Sequence, residues 1–149
     1  MTASTFLPLL RELAGAYQAF EVYSGAHIYS LGLTPPQFDI VATLGNTVGM
    51  PLKELGEKTL ITKGTLTGVV DRVVNKGLVC RIASPSDGRS QIVQLTLEGN
   101  DLFARIFPEH LSYMESAFSR LTPEELLEMT ARLHRLREVF VQNAGEKIS

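Results

Sequence analysis

Residues 52–77 read LKELGEKTLITKGTLTGVVDRVVNKG, and residues 78–95 continue LVCRIASPSDGRSQIVQL. Leu52 and Leu55 share one face of a short helix from Leu52 to Thr59, opened by Met50-Pro51-Leu52, which leaves Lys53, Glu54 and Lys58 to water. After a short turn, Thr62 is placed to cap a second helix. Its inner stripe is Leu66, Val69, Val70 and Val73, while Lys63, Thr65, Thr67 and Arg72 fall on other faces. Asn75-Lys76-Gly77 stops that helix, because glycine readily takes the left-handed cap conformation. Leu78–Ile82 and Gln91–Leu95 are β-prone runs. The segment between them, Ala83-Ser84-Pro85-Ser86-Asp87-Gly88-Arg89-Ser90, is rich in turn residues, so the pair reads as a hairpin with a long polar tip.

Helices flank this stretch on both sides. Phe6, Leu9, Leu10, Leu13, Tyr17 and Phe20 recur at steps of three and four, predicting a helix from Thr5 to Ser30. Gly32 ends it. Thr34-Pro35-Pro36-Gln37 forms a capping box with proline where no amide partner is missed, and the helix through Phe38, Ile40, Val41 and Leu44 stops near Gly45 to Gly49. Thr96-Leu97-Glu98-Gly99 starts a long helix toward Arg120, with a bend expected at Pro108. Thr122-Pro123-Glu124-Glu125 is a second capping box. Beyond it Leu126, Met129, Leu133, Leu136 and Phe140 keep the spacing of a helix that packs on another helix, and residues 143–149 read as a frayed tail.

A chain of 149 residues fits one domain, and its formal charge of −2 is unevenly spread. From Lys53 to Arg89 there are seven basic and four acidic residues, a net +3 that leaves −5 on the remainder. A basic centre between acidic ends suits one face offered to a polyanion. Apolar runs are too short to cross a bilayer, and residues 1–11 lack the pattern of a secretory leader, so a cytoplasmic protein without membrane contact is expected. Cys80 is the single cysteine and reads as a small apolar strand residue. His27, His110 and His134 are scattered with no metal-ligand spacing; Glu109-His110 beside Pro108 is the only local pair of interest, and no cofactor is expected. Phosphate-loop, nucleophile-elbow and zinc-protease motifs are all missing, which argues against an enzyme.

Two short helices about a tight turn, then a hairpin, is the order of a winged helix-turn-helix. The expected fold is mainly α with a small β component, with residues 33–99 as the DNA-binding region and residues 1–32 and 100–149 as helical dimerisation ends. Leu33-Thr34-Pro35-Pro36-Gln37-Phe38, Leu52-Lys53-Glu54-Leu55-Gly56, Val70-Asp71-Arg72-Val73, Lys76-Gly77-Leu78-Val79-Cys80-Arg81, Asp87-Gly88-Arg89 and Leu95-Thr96-Leu97-Glu98-Gly99 together resemble the pattern of the MarR family.

That resemblance implies a homodimeric regulator on a palindromic double-stranded operator, with recognition helices in successive major grooves and wings in the neighbouring minor grooves. A helix fits the major groove with its N-terminal residues toward the base edges. Thr62, Lys63, Gly64, Thr65 and Thr67 are therefore contact candidates, Lys63 foremost. Arg89 at the wing tip suits a narrow, electronegative minor groove. The family implies that Asp87 orients Arg89 by an ion pair, and Asp71 and Arg72 are expected to tie recognition helix to wing. The family also implies repression relieved by a small aromatic or phenolic ligand, for which Tyr17, Phe20, Tyr23, His27 and Tyr29 are candidates. Aromatics at helical spacing equally suit a core or a dimer interface. The family's redox branch uses a cysteine in the first helix, and this chain has none there.

Gly64 and Gly68 are costly inside a helix, each by up to about 1 kcal/mol relative to alanine. Either backbone there meets an approaching surface, or the helix packs closely within the fold. A rival to DNA binding is a winged-helix protein-interaction module, against which Lys63, Arg72 and Arg89 count. Salt-dependent duplex binding separates the two.

Overall fold

The computed structural model of the protein describes residues 1–148 and holds six helices and three strands among them. Their order is α1 (Ala3–Ser30), α2 (Pro35–Leu44), β1 (Met50–Pro51), α3 (Leu52–Lys58), α4 (Lys63–Asn75), β2 (Val79–Ala83), β3 (Gln91–Leu95), α5 (Leu97–Phe118) and α6 (Pro123–Ile148). This is the mainly helical winged arrangement that the spacing of apolar residues predicts.

The helix starts follow from side chains that satisfy backbone amides. At α2 the Gln37 N–H donates to Thr34 Oγ1 at 3.4 Å, and the Thr34 N–H donates to Gln37 Oε1 at 3.2 Å. The same reciprocal pair at α6 links Thr122 and Glu125, both bonds at 3.1 Å. Thr96 stands at the start of α5, where its Oγ1 accepts from the Gly99 N–H at 3.1 Å and donates to the Gly77 carbonyl at 2.6 Å.

The sheet is antiparallel throughout, in the order β1-β3-β2. Val79 pairs with Leu95 and Ala83 with Gln91, which sets the hairpin one residue later on its first strand than expected. Met50 and Pro51 lead into the short helix as expected, with Pro51 its N-cap, and in addition pair with Val93 and Ile92. The chain then enters α3 directly from the strand.

By internal contacts the chain forms two compact units, Met1–Leu111 and Ser112–Ser149. In the first, Ile40, Val41 and Leu44 of α2 meet Leu55, Val70, Val73, Val79 and Val93 in one buried cluster. Ile28, Leu33, Phe38 and Ile106 form another beside it. Gly77, at φ +78°, turns the chain from α4 into β2. Gly99 sits against the residue that precedes β2: a Cβ there would run into the Leu78 carbonyl.

The second unit holds the end of α5 and all of α6. No residue from 112 to 145 is buried, and Leu127, Met129, Leu133, Val139, Phe140 and Val141 are exposed. Helix α6 continues to Ile148, so the frayed tail expected from residue 143 is helical that far; Ser149 lies outside the described residues. Helix α5 runs through Pro108 without interruption and ends two residues short of the expected Arg120, while α1 begins at Ala3 rather than Thr5.

Replacing Gly99 by alanine forces α5 away from the Leu78 backbone. The expected loss is about 1–3 kcal/mol, the usual range for overpacking a tight contact. Urea unfolding of Gly99→Ala measures it, and an unchanged midpoint would show that the contact yields freely.

Candidate nucleic-acid interface

Helix α4 has two distinct sides. Leu66, Val69, Val70 and Val73 are 7% exposed or less and face the core, whereas Lys63, Gly64, Thr65, Thr67, Gly68, Asp71 and Arg72 are all exposed. The outer face therefore displays a cation at each end of a run of hydroxyls and bare backbone.

Its first turn is open as well. Thr62 is the N-cap residue, but its hydroxyl bonds the Thr65 hydroxyl at 2.9 Å and gives no side-chain cap to the helix, contrary to expectation. The Thr65 and Leu66 amides are taken by the Thr62 carbonyl. The amides of Lys63 and Gly64 thus keep no partner among the described residues. Free amides at the positive end of a 13-residue helix attract phosphate.

A Cβ built at Gly64 or Gly68 meets nothing within 4 Å. Close packing inside the chain is therefore not what these glycines serve. They leave a smooth strip on the exposed face, where a second surface can approach the backbone.

The wing is held by its own hydrogen bonds. The Ser84 N–H donates to the Ser90 carbonyl at 2.9 Å, and the Ser90 N–H to the Asp87 carbonyl at 3.1 Å. Asp87 Oδ1 accepts from the backbone N–H of Arg89 at 3.0 Å. The ion pair expected between these two side chains is not formed: Asp87 shapes the turn, and the exposed Arg89 guanidinium has no acidic partner among the described residues. Local geometry favours this, since a carboxylate two residues earlier reaches the amide of a tight turn before it reaches the end of a long side chain.

Helix and wing are tied by a different pair from the one expected. Arg81 Nη2 on β2 lies 2.5 Å from Asp71 Oδ1 on α4, which leaves Arg72 exposed and without an ion pair among the described residues. Arg81 went unnoticed as a site residue because its partner is ten positions away on another element. A cavity of about 390 Å³ lies under the wing, lined by Leu52, Arg81, Ala83, Gly88, Arg89, Gln91 and Val93. A second, of about 360 Å³, lies between α3 and α4 and includes Lys53, Glu57, Lys63 and Thr67. Lys76, near the end of α4, donates its Nζ to the Gly32 carbonyl at 3.0 Å, a link no local pattern signals.

The candidate ligand residues separate into two groups. Tyr17 and Phe20 are about half exposed, with ring centroids 6.3 Å apart, and Tyr29 is more exposed still. Tyr23 and His27 lie deeper. His27 Nδ1 is 2.9 Å from His110 Nδ1, and His110 Nε2 is 3.3 Å from the buried Ser24 hydroxyl. Burial, with His27 beside it, holds the His110 imidazole below its ordinary pKa. Glu109 Oε1 comes no nearer than 4.0 Å to His27 Nε2. Among the described residues no group of three or more His, Cys, Asp or Glu can hold a metal ion, and no helix is long and apolar enough to cross a membrane. Cys80 is half-buried, its Sγ 3.7 Å from Gln94 Nε2.

Comparison with known proteins agrees with this geometry. The model of the MarR family matches residues 33–91. The HTH-type transcriptional regulator MhqR of Bacillus subtilis is 35% identical over 87% of this chain and 90% of its own length. Among solved structures, a MarR family transcriptional regulator from Streptomyces coelicolor in complex with DNA superposes with a TM-score of 0.82, at 25% identity over 93% of this chain and 89% of that one. Bordetella bronchiseptica BpsR, whose DNA binding is regulated by 6-hydroxynicotinic acid, gives a TM-score of 0.78 at 26% identity, over 92% of this chain and 96% of its own.

The open strip on α4 yields an opposed pair of effects. Gly68→Ala gains up to about 1 kcal/mol of helix propensity without an internal clash, so the melting temperature is expected to rise. Duplex affinity is expected to fall, because the methyl stands on the approached face. Calorimetry and a binding titration on the same sample test both; a stabilised variant with full affinity would remove the glycines from the interface.

Proposed function

The chain belongs to the MarR family of transcriptional regulators, and from that premise we propose that it acts as a homodimeric repressor of a palindromic operator, released by a small aromatic ligand. Its relatives are transcriptional regulators rather than enzymes. The observation that carries the proposal is the outer face of α4, with its unpartnered Lys63 and Gly64 amides, the Lys63 and Arg72 cations and the Thr65 and Thr67 hydroxyls turned from the core. Such a face offers phosphate contacts at its start and donors for base edges along its first turns. Thr62 adds a hydroxyl at the entrance. Arg89, presented by an Asp87-shaped turn, is assigned to the minor groove.

In this reading the DNA-binding region is residues 33–99, and residues 1–32 and 100–149 assemble the dimer. The apolar residues that one chain leaves in water support the assignment: Phe6, Leu9 and Leu10 on α1, with Leu133 and Phe140 on α6, are each 46–57% exposed. Contiguous apolar helix faces of this kind are the usual substance of obligate dimers. Two-fold symmetry in the protein then calls for two-fold symmetry in the operator.

For the ligand, the support is a relative regulated by an aromatic acid together with the Tyr17, Phe20, Tyr23 and His27 end of α1. A ligand acts only through different affinities for the DNA-competent and incompetent states. An aromatic acid wedged among these side chains would meet that condition by changing the helix that carries the dimer face.

Arg89→Ala is expected to weaken operator binding by about 1–3 kcal/mol and to leave the dimer intact, as for loss of one groove contact. Gel-shift titration on a palindrome selected from random duplexes, with size exclusion on the same variant, checks both parts; full affinity would remove the wing from the reading. Leu133→Asp combined with Leu136→Asp is expected to give monomers that no longer bind, because a carboxylate is costly in an apolar seam. Sedimentation reads the outcome, and a persistent dimer would relocate the interface.

A further inference from the structure

We propose that Asp39, on α2 and outside the DNA-facing elements, is a positioning residue that sets where the N-terminus of α4 stands against the duplex. Its Oδ2 accepts the Leu60 N–H at 2.9 Å, across 21 residues of sequence, and its Oδ1 accepts from the Thr43 hydroxyl at 3.5 Å. Leu60 lies in the turn that delivers the chain from α3 into α4.

That turn has few other anchors. The Leu60 side chain is 80% exposed. The Thr59 N–H belongs to the end of α3, where it bonds the Leu55 carbonyl at 3.0 Å. Thr62 gives α4 no side-chain cap. What remains is the buried Thr59 side chain, Ile61, partly buried against the core, and the Asp39 carboxylate, the one directional side-chain bond to the turn among them. The apolar stripe of α4 fixes which face turns outward, but it resists a small tilt of the first turn only weakly, because apolar contact is non-directional. A hydrogen bond to a charged acceptor is directional and stronger than a neutral one. Asp39 supplies the directional constraint where hydrogen bonds to base edges demand a defined distance and angle.

Charge makes the role separable from electrostatics. Asp39 is half-buried without a cation partner among the described residues, and burial raises its carboxyl pKa despite the Leu60 and Thr43 hydrogen bonds. A negative charge below a DNA-binding turn opposes phosphate. Removing it should therefore favour binding if charge were its only contribution. Loss of binding on removal has to come through geometry.

The proposal rests on the reading of α4 as the groove-entering element. The experiment compares the wild-type chain with Asp39→Ala and Asp39→Asn on a palindrome selected from random duplexes and on an unrelated duplex of equal length. For Asp39→Ala the ratio of specific to nonspecific affinity is expected to fall about tenfold, the order of one charge-assisted hydrogen bond, with nonspecific affinity no lower than that of the wild type. Exchange of the Leu60 amide, followed by NMR in the free protein, is expected to accelerate. Asp39→Asn keeps an acceptor for that amide without the charge and is expected to restore the ratio to within about twofold.

An unchanged ratio in Asp39→Ala overturns the proposal, as does an Asp39→Asn variant impaired as severely as alanine. Should Asp39→Ala fail to fold, Leu60→Pro removes the donor from the other end of the bond. Thr59 is already extended, as the residue before a proline has to be. A preserved ratio in Leu60→Pro overturns the proposal equally. Wild-type protein that binds no duplex refutes the groove reading itself, which is a different result from wild-type and alanine forms that bind alike.

Discussion

Burial of Leu66, Val69, Val70 and Val73 is the constraint on which the rest of this molecule depends. The four side chains pack with Ile40, Val41, Leu44, Leu55 and Val93, and each contributes about 1.5–3 kcal/mol by leaving water. Turning α4 by half a revolution would forfeit most of that, so its rotation about its own axis is settled by the core. Everything on the opposite face is thereby committed to solvent, including two glycines that lower the stability of the helix they occupy.

Polar links then fix what apolar packing leaves loose. Asp71 and Arg81 join α4 to the wing, Lys76 joins the end of α4 to the Gly32 carbonyl, and Asp39 holds the turn before α4. Each link spans at least ten residues and uses a partner that is either charged or a main-chain group. The exposed Asp71–Arg81 pair adds little to folding stability, so its value lies in direction more than in energy. Gly99 adds the steric counterpart by letting α5 lie against the Leu78 carbonyl.

Features written in short-range chemistry were legible in the sequence. The Thr34/Gln37 and Thr122/Glu125 boxes, the inner stripe of α4, the Gly77 stop and the Gln91–Leu95 strand all follow from neighbours within four residues. Features that depend on a distant partner were not. Met50 and Pro51 become a strand only because Val93 and Ile92 lie alongside, and Asp71 has a choice of two arginines that only the fold decides. Thr62 and Asp87 show a subtler gap. Each has the expected residue type in the expected place, but the Thr62 hydroxyl turns to Thr65 and the Asp87 carboxylate to a backbone amide. Composition identifies a capable group, and geometry chooses among the several bonds within its reach.

The two-residue strand has a mechanical consequence. Pro51 passes straight into Leu52 with no intervening loop, while Met50 and Pro51 are stitched to the middle of the hairpin. The first helix of the reading pair and the wing are therefore parts of one stiff piece, and Leu52 at their junction lines the cavities on both of its sides. A displacement of α3 is handed to the wing at once through Met50 and Pro51, with no loop between them to take it up.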